Sequence, residues 1–204
     1  MSSITAPPFW SLFAVPPWPV RRWTVAEYHQ MIQAGILTEN DRVELIEGWI
    51  APKMPYNPPH DGTLDNAREL VERLVSPAWR VRVQMSITTA DSEPEPDIVV
   101  VPGPASRYYT RHPEPQEIAL AAEVADSSLP FDRGDKCRAY ARAGIVCYWI
   151  INLVNRQVEV YSDPTGPALA PAYRQRTDYA LADSVPVVIA GQQVALIPVA
   201  DLLP

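Results

Sequence analysis

Two carboxylates stand where a charge is unfavourable. Asp97 opens the apolar run 98–101, and Glu123 interrupts the apolar run 118–125. An unpaired buried carboxylate costs several kcal/mol or more, so each acid needs a partner, a cation, or a place at a sheet's edge. Brought together on adjacent strands, the two would repel unless a cation lay between them. Hard oxygen ligands around an open position suit Mg²⁺ or Mn²⁺, at roughly 2.0 to 2.2 Å. On spacing alone the alternative stays open that each acid caps a strand or pairs with one of the fifteen arginines. Lys136 is the third group. The chain has only two lysines, Lys53 and Lys136. The latter follows the Glu123 strand on a predicted helix that can turn back towards that strand's end. A compact ammonium there orients a water or stabilises charge on a phosphate; the plainer fate of a lysine is a solvated helix face.

These groups are positioned by elements that the hydrophobic pattern marks. Thr24 and Glu27 form a capping box opening a helix, with Val25, Tyr28 and Ile32 on one face and Gly35 at its end. Residues 42–53, RVELIEGWIAPK, alternate and turn at Glu47-Gly48, a short hairpin. A second helix is predicted over 61–76, with Leu64, Ala67, Val71, Leu74 and Val75 as its stripe. From Trp79 the period becomes two: Val81, Val83, Met85 and Ile87 face one way, and Arg80, Arg82, Gln84 and Ser86 the other. The nearly all-apolar segments 96–101 and 117–125 read as buried strands. A helix between Phe131 and Ala143, ended by Gly144, leads to the hairpin CYWIIN–QVEVYS around Asn155. The tail from Tyr173 adds edge strands and a short terminal helix. This order describes an α/β sandwich with a mixed sheet.

Composition bounds the rest. The 204 residues, 47% of them hydrophobic, suit one globular domain, predicted over 21–204. Residues 1–20 read as an extended arm: five prolines forbid a helix, and Phe9, Trp10, Phe13 and Trp18 call for burial against the arm's own domain or a symmetry partner. A homodimer through the arm is therefore a candidate assembly. The net charge of −7 argues against a protein that coats nucleic acid electrostatically, yet leaves room for a nuclease with one basic face. Cys137 and Cys147 are too sparse for a disulfide framework or a structural zinc site. No apolar run reaches the roughly 18 to 20 residues of a membrane span, and the N-terminal stretch lacks the pattern of a secretory signal. A cytoplasmic protein is the expectation.

The segments PEPDIVVV, AEVADSSLPFDRGDKCRAYARAGIVCYWIIN and RVELIEGW together resemble the Uma-two family of endonucleases, within the PD-(D/E)XK, restriction-endonuclease-like superfamily. The resemblance runs from about Trp23 to Tyr161. It implies a restriction-endonuclease-like core, a mixed β-sheet flanked by helices, with the C-terminal strands as additions. It also implies that Asp97 and Glu123 hold a divalent cation, assisted by the main-chain carbonyl of Val124. Glu44 matches the family's upstream acid, completing the metal site or holding a water. His60 and Gln84 are candidate substrate-binding or supporting groups, and Tyr140 matches a tyrosine that braces the site. The superfamily's usual lysine, two places after the glutamate, is here Ala125. The resemblance accounts for this by migration of the lysine to Lys136. Cys147 and Asn152 replace acids that family members commonly carry.

The chemistry expected is hydrolysis of DNA phosphodiester bonds, with Mg²⁺ or Mn²⁺ activating water and Lys136 stabilising charge on the phosphate. Glu44, Asp97, Glu123 and Lys136 form the expected catalytic set. Arg80 and Arg82, or Arg133, Arg138 and Arg142, are candidates for holding flanking phosphates. The competing reading, from a different class, is a nuclease fold that no longer cuts and serves as a binding or assembly module. No GxSxG elbow, P-loop or GxGxxG supports other chemistry.

Overall fold

Local rules fix where the elements start. The Thr24 side chain accepts the Glu27 N–H while the Glu27 carboxylate accepts the Thr24 N–H, and helix α1 (Val25–Gln33) begins there. Helix α2 (Pro58–Leu74) starts earlier than the apolar stripe suggests. Asn57 caps it by accepting the His60 N–H at 3.0 Å, and the prolines at its first positions need no amide partner. Between them, β1 (Val43–Ile46) and β2 (Trp49–Pro52) pair as an antiparallel hairpin. Its two turn residues, Glu47 and Gly48, both have positive φ (49° and 79°), as a tight hairpin turn requires. A Cβ on Gly48 would stand 2.6 Å from the Arg22 Cβ, so this position needs glycine twice over. The computed structural model describes residues 20–204, so the arm, apart from Val20, lies outside the described residues.

Among the described residues the main sheet has six strands: β3 (Trp79–Val83), β4 (Ile98–Pro102), β5 (Leu120–Ala125), β6 (Cys147–Asn152), β7 (Gln157–Pro164) and β8 (Tyr173–Ala180), in that spatial order. Only β5 and β6 run parallel; the other neighbours are antiparallel. A parallel neighbour requires a crossover, and the chain supplies one over 129–143. This crossover comprises α3 (Leu129–Phe131), a π-helical turn (Asp132–Lys136) and α4 (Cys137–Ala143). A second sheet, β9 (Ser184–Ile189) with β10 (Gln192–Pro198), and the terminal helix α5 (Val199–Leu202) complete the chain. The predicted C-terminal strands thus divide, β8 joining the main sheet and β9–β10 forming their own.

Two apolar layers cover the main sheet. On one face Leu64, Ala67 and Val71 of α2 and Val185, Val187 and Leu202 pack against Ile98, Val100, Ala122, Val124 and Trp149. On the other, Leu129, Cys137 and Tyr140 of the crossover pack against Val99, Val101, Ala121, Ala125, Tyr148 and Ile150. Each buried Leu, Ile or Val side chain contributes about 1.5 to 3 kcal/mol. Three sequence readings are corrected. Ile32 and Leu74 are exposed, because each lies near a helix end, clear of the sheet. Met85 is also exposed: Gln84 takes a positive φ (49°) directly after β3, so the alternation stops there.

Candidate active site

The topology brings the sequence-predicted acids to one end of the sheet, on the face covered by the crossover. Glu123 and Asp97 keep step with Ala121 and Val99 of that face. Both carboxylates are almost wholly enclosed, at 3% and 4% exposed. They line a cavity of about 50 Å³ together with Glu44, Tyr56, His60, Asp132 and Lys136. The predicted residues therefore converge.

Asp97 is held by three elements at once. The Val124 N–H donates to its Oδ2 at 2.9 Å and His60 Nε2 lies 3.1 Å from the same oxygen, while Gln84 Nε2 donates to Oδ1 at 3.3 Å. Val124 thus meets Asp97 through its amide N–H. Burial alone would lower the His60 pKa, but the hydrogen bond and charge of Asp97 outweigh it and raise the value. Tyr56 stacks on the His60 ring at 4.6 Å and fixes its plane.

Glu123 is held from one side only. Its Oε1 accepts from Lys136 Nζ at 3.0 Å and from the Tyr140 hydroxyl at 2.8 Å, whereas Oε2 accepts no hydrogen bond from the described residues. Burial raises the Glu123 pKa well above the usual range. Lys136 opposes that shift, and Asp97, Asp132 and Glu44 reinforce it. For Lys136 burial works downward, but the carboxylates of Glu123, Glu44, Asp132 and Asp97 outweigh it and hold the ammonium charged. Four carboxylates surround Lys136 and keep its ammonium charged beside Glu123.

Glu44 reaches the site because the hairpin is stitched down. Its Oε2 accepts the Glu95 N–H at 3.0 Å and its Oε1 lies 3.5 Å from Lys136 Nζ. At the hairpin's turn Glu47 is clamped by Arg138 and Arg142 of α4. Lys53, the other lysine, stands at the cavity rim paired with Glu95. Of the arginines considered for phosphates, Arg133 is bound to Glu159, and Arg138 and Arg142 to Glu47. Arg80 and Arg82 form no ion pair among the described residues.

Asp132 was missed from the sequence. It is buried in the π-helical turn, lines the cavity, and its Oδ2 has no hydrogen-bond partner among the described residues. Burial pushes its pKa up to about 6 against the pull of Lys136. The sequence held part of its signal, an acid four places before Lys136 in a helical segment, but not which of its oxygens would stay unpaired. π-turns of this kind cluster at functional sites.

Among the described residues no three Asp, Glu, His or Cys side chains converge as metal ligands, since Lys136 stands between Glu44 and Glu123. The donors left facing the cavity still suit Mg²⁺. That ion keeps several waters and asks for one or two carboxylates, and Glu123 Oε2 and Asp132 Oδ2 lack partners. Among the described residues Asp97 Oδ1 accepts only the 3.3 Å bond from Gln84, so Asp97 and Glu123 are the residues that would hold it, with Asp132 beside them.

Against known proteins, no curated protein matches the chain. Among solved structures it is similar to a protein from Anabaena variabilis described as "a putative nuclease belonging to DUF820". The TM-score is 0.65 at 18% identity, covering 90% of this chain and 97% of that one. This likeness establishes the fold, a six-stranded mixed sheet flanked by helices. A family model described as "Putative restriction endonuclease" matches residues 25–196. The chain belongs to that family, Uma2.

Proposed function

We propose that this protein is an endonuclease that hydrolyses phosphodiester bonds in DNA with a divalent cation, Mg²⁺ or Mn²⁺, held by Asp97 and Glu123. The observation that carries this reading is the pairing of buried Glu123 with buried Lys136 beside Asp97, with one Glu123 oxygen left free. When bound, the cation polarises the phosphate and makes a water more acidic. The chain's own groups do the rest. His60, Gln84 and the Val124 amide orient Asp97, and Tyr140 orients Glu123. Lys136 donates to a phosphate oxygen as charge develops there. Glu44 holds Lys136 from the other side. Asp132 offers an acceptor for a water proton.

The test is cleavage of supercoiled plasmid and single-stranded circular DNA with Mg²⁺ or Mn²⁺, beside titration calorimetry with Mn²⁺. Cleavage that EDTA stops, and that Asp97→Ala and Glu123→Ala each abolish together with Mn²⁺ binding, supports the reading. Cleavage persisting in excess EDTA rejects it. The placement of Lys136 between Glu44 and Glu123 favours one rival, a nuclease fold that binds without cutting. No cleavage under either cation, with Mn²⁺ binding absent, would favour that rival.

A further inference from the structure

The cavity at Asp97 and Glu123 has room for one or two waters or a small ion, and none for a nucleotide. A polynucleotide must therefore lie outside it. Glu95, at the cavity's rim, also borders a much larger groove of about 620 Å³ running along β3. Gln84, whose amide reaches Asp97, lies in the same groove, so the two spaces adjoin.

The groove carries unspent positive charge. Arg80 and Arg82 project from the β3 face that the site occupies, since Val81 and Val83 pack on the opposite layer. Neither forms an ion pair among the described residues, and the Arg82 Nε is buried without a hydrogen-bond partner. The one acid bordering the groove, Glu95, is paired with Lys53. On a chain with a net charge of −7, such a surface is conspicuous. It also presents aromatic faces: Arg82 stacks on Tyr108 at 5.1 Å, and Tyr109 beside it is 80% exposed.

We propose that this groove holds a single-stranded stretch of polynucleotide flanking the scissile bond, its phosphates on Arg80 and Arg82 and a base stacked on Tyr109. The proposal rests on the hydrolytic reading of the cavity. Unpaired guanidiniums answer the backbone, and an exposed aromatic ring rewards unpaired bases, because a duplex hides its base faces. The depth of Asp97 and Glu123 points the same way. A flexible strand dips one phosphate towards a recessed site more readily than a stiff duplex does.

The test is fluorescence anisotropy of the full-length protein in EDTA with labelled oligothymidine, oligouridine of equal length, and blunt duplex. Both single strands should bind more tightly than duplex, and the tighter of the two identifies the sugar. The double variant Arg80→Gln/Arg82→Gln should weaken binding at least tenfold and reduce the logarithmic salt slope by about 1.4, for two single-strand phosphates. Tyr109→Ala should weaken it roughly tenfold and Tyr109→Phe hardly at all. Arg174→Gln, on distant β8, serves as the control and should change nothing. Tighter binding to duplex overturns the proposal, as does unchanged affinity in the double variant or an equal loss in the control. Among the described residues β3 is also an edge strand of its sheet, so a dimer in light scattering that the double variant dissociates would overturn it in favour of self-association. The two readings fail separately. Metal-dependent cleavage with no groove effect on binding rejects the groove alone, and groove-dependent binding without cleavage rejects hydrolysis alone.

Discussion

Glu123 and Glu159 are two glutamates in one row of one sheet. Glu123 on β5 faces Ile150 on β6, and Ile150 faces Glu159 on β7, so the acids stand roughly 10 Å apart on the same covered face. One turn of helix serves both: within Asp132–Lys136, Arg133 goes to Glu159 and Lys136 to Glu123. Their fates differ. Glu159 is fully buried, and both its oxygens are satisfied, by Arg133, Asn152 and the Tyr161 hydroxyl. Burial pushes its pKa up, but these hydrogen bonds win and hold it at about 2. Glu123 has one oxygen satisfied and one free, and its pKa is raised. A carboxylate with every lone pair engaged is structural. One held on a single side, against a compact lysine rather than a planar guanidinium, keeps an oxygen for chemistry.

The strongest way to break this contrast is to neutralise each acid in turn. Glu123→Gln should lower cleavage by several orders of magnitude, whereas Glu159→Gln should leave the rate within a few-fold below its own melting temperature. Equal losses would erase the distinction. The two cations sharpen it: Lys136→Ala should lower the cleavage rate by roughly 10²- to 10³-fold at nearly unchanged Mn²⁺ affinity, the mark of a group acting in the transition state. Lys136→Arg should not restore the rate, because the fork cannot replace a point charge in so small a cavity.

Stability should show the reverse order. Truncating Glu159 to alanine takes the acceptor from the buried Asn152 amide and Tyr161 hydroxyl and should cost about 2 to 4 kcal/mol. Thermal unfolding in EDTA should then fall by on the order of 10 °C. Glu123→Gln should lower the melting temperature far less, because Lys136 keeps Glu44.

The pH dependence provides the smallest effects. The folded pKa of Asp132, about 6, is raised above its ordinary 3.8. Its ionisation therefore opposes folding: the favourable contribution is complete below pH 3.8 and is lost as pH rises through about 6. In EDTA, Asp132→Asn should match the parent near pH 4 and melt a few degrees higher at pH 8. For Glu159 the folded pKa is depressed from 4.5 to about 2. Its contribution is present above pH 4.5 and lost as pH falls through about 2, so parent and Glu159→Gln should converge in acid. An Asp132→Asn variant no more stable than the parent at pH 8 would remove the strain assigned to that carboxylate.

By itself the sequence determined the elements and the likeness to a family. The Thr24–Glu27 box, the Glu47-Gly48 turn and the apolar segments 96–101 and 117–125 are local signals, set by hydrogen bonds and side-chain periods within a few residues. The same signals marked Glu123 but did not show that Glu159, in the alternating segment QVEVYS, is buried as well. They also left five arginines as equal candidates for phosphates. Tertiary structure decided those questions, because ion pairs join residues far apart in the chain: Glu47 takes Arg138 and Arg142, Glu159 takes Arg133, and Arg80 and Arg82 are left over. Asp132 stayed hidden for the same reason. Its lack of a partner depends on how the π-helical turn lies over the sheet, and no spacing in the sequence records which buried oxygen the surrounding chain will fail to reach.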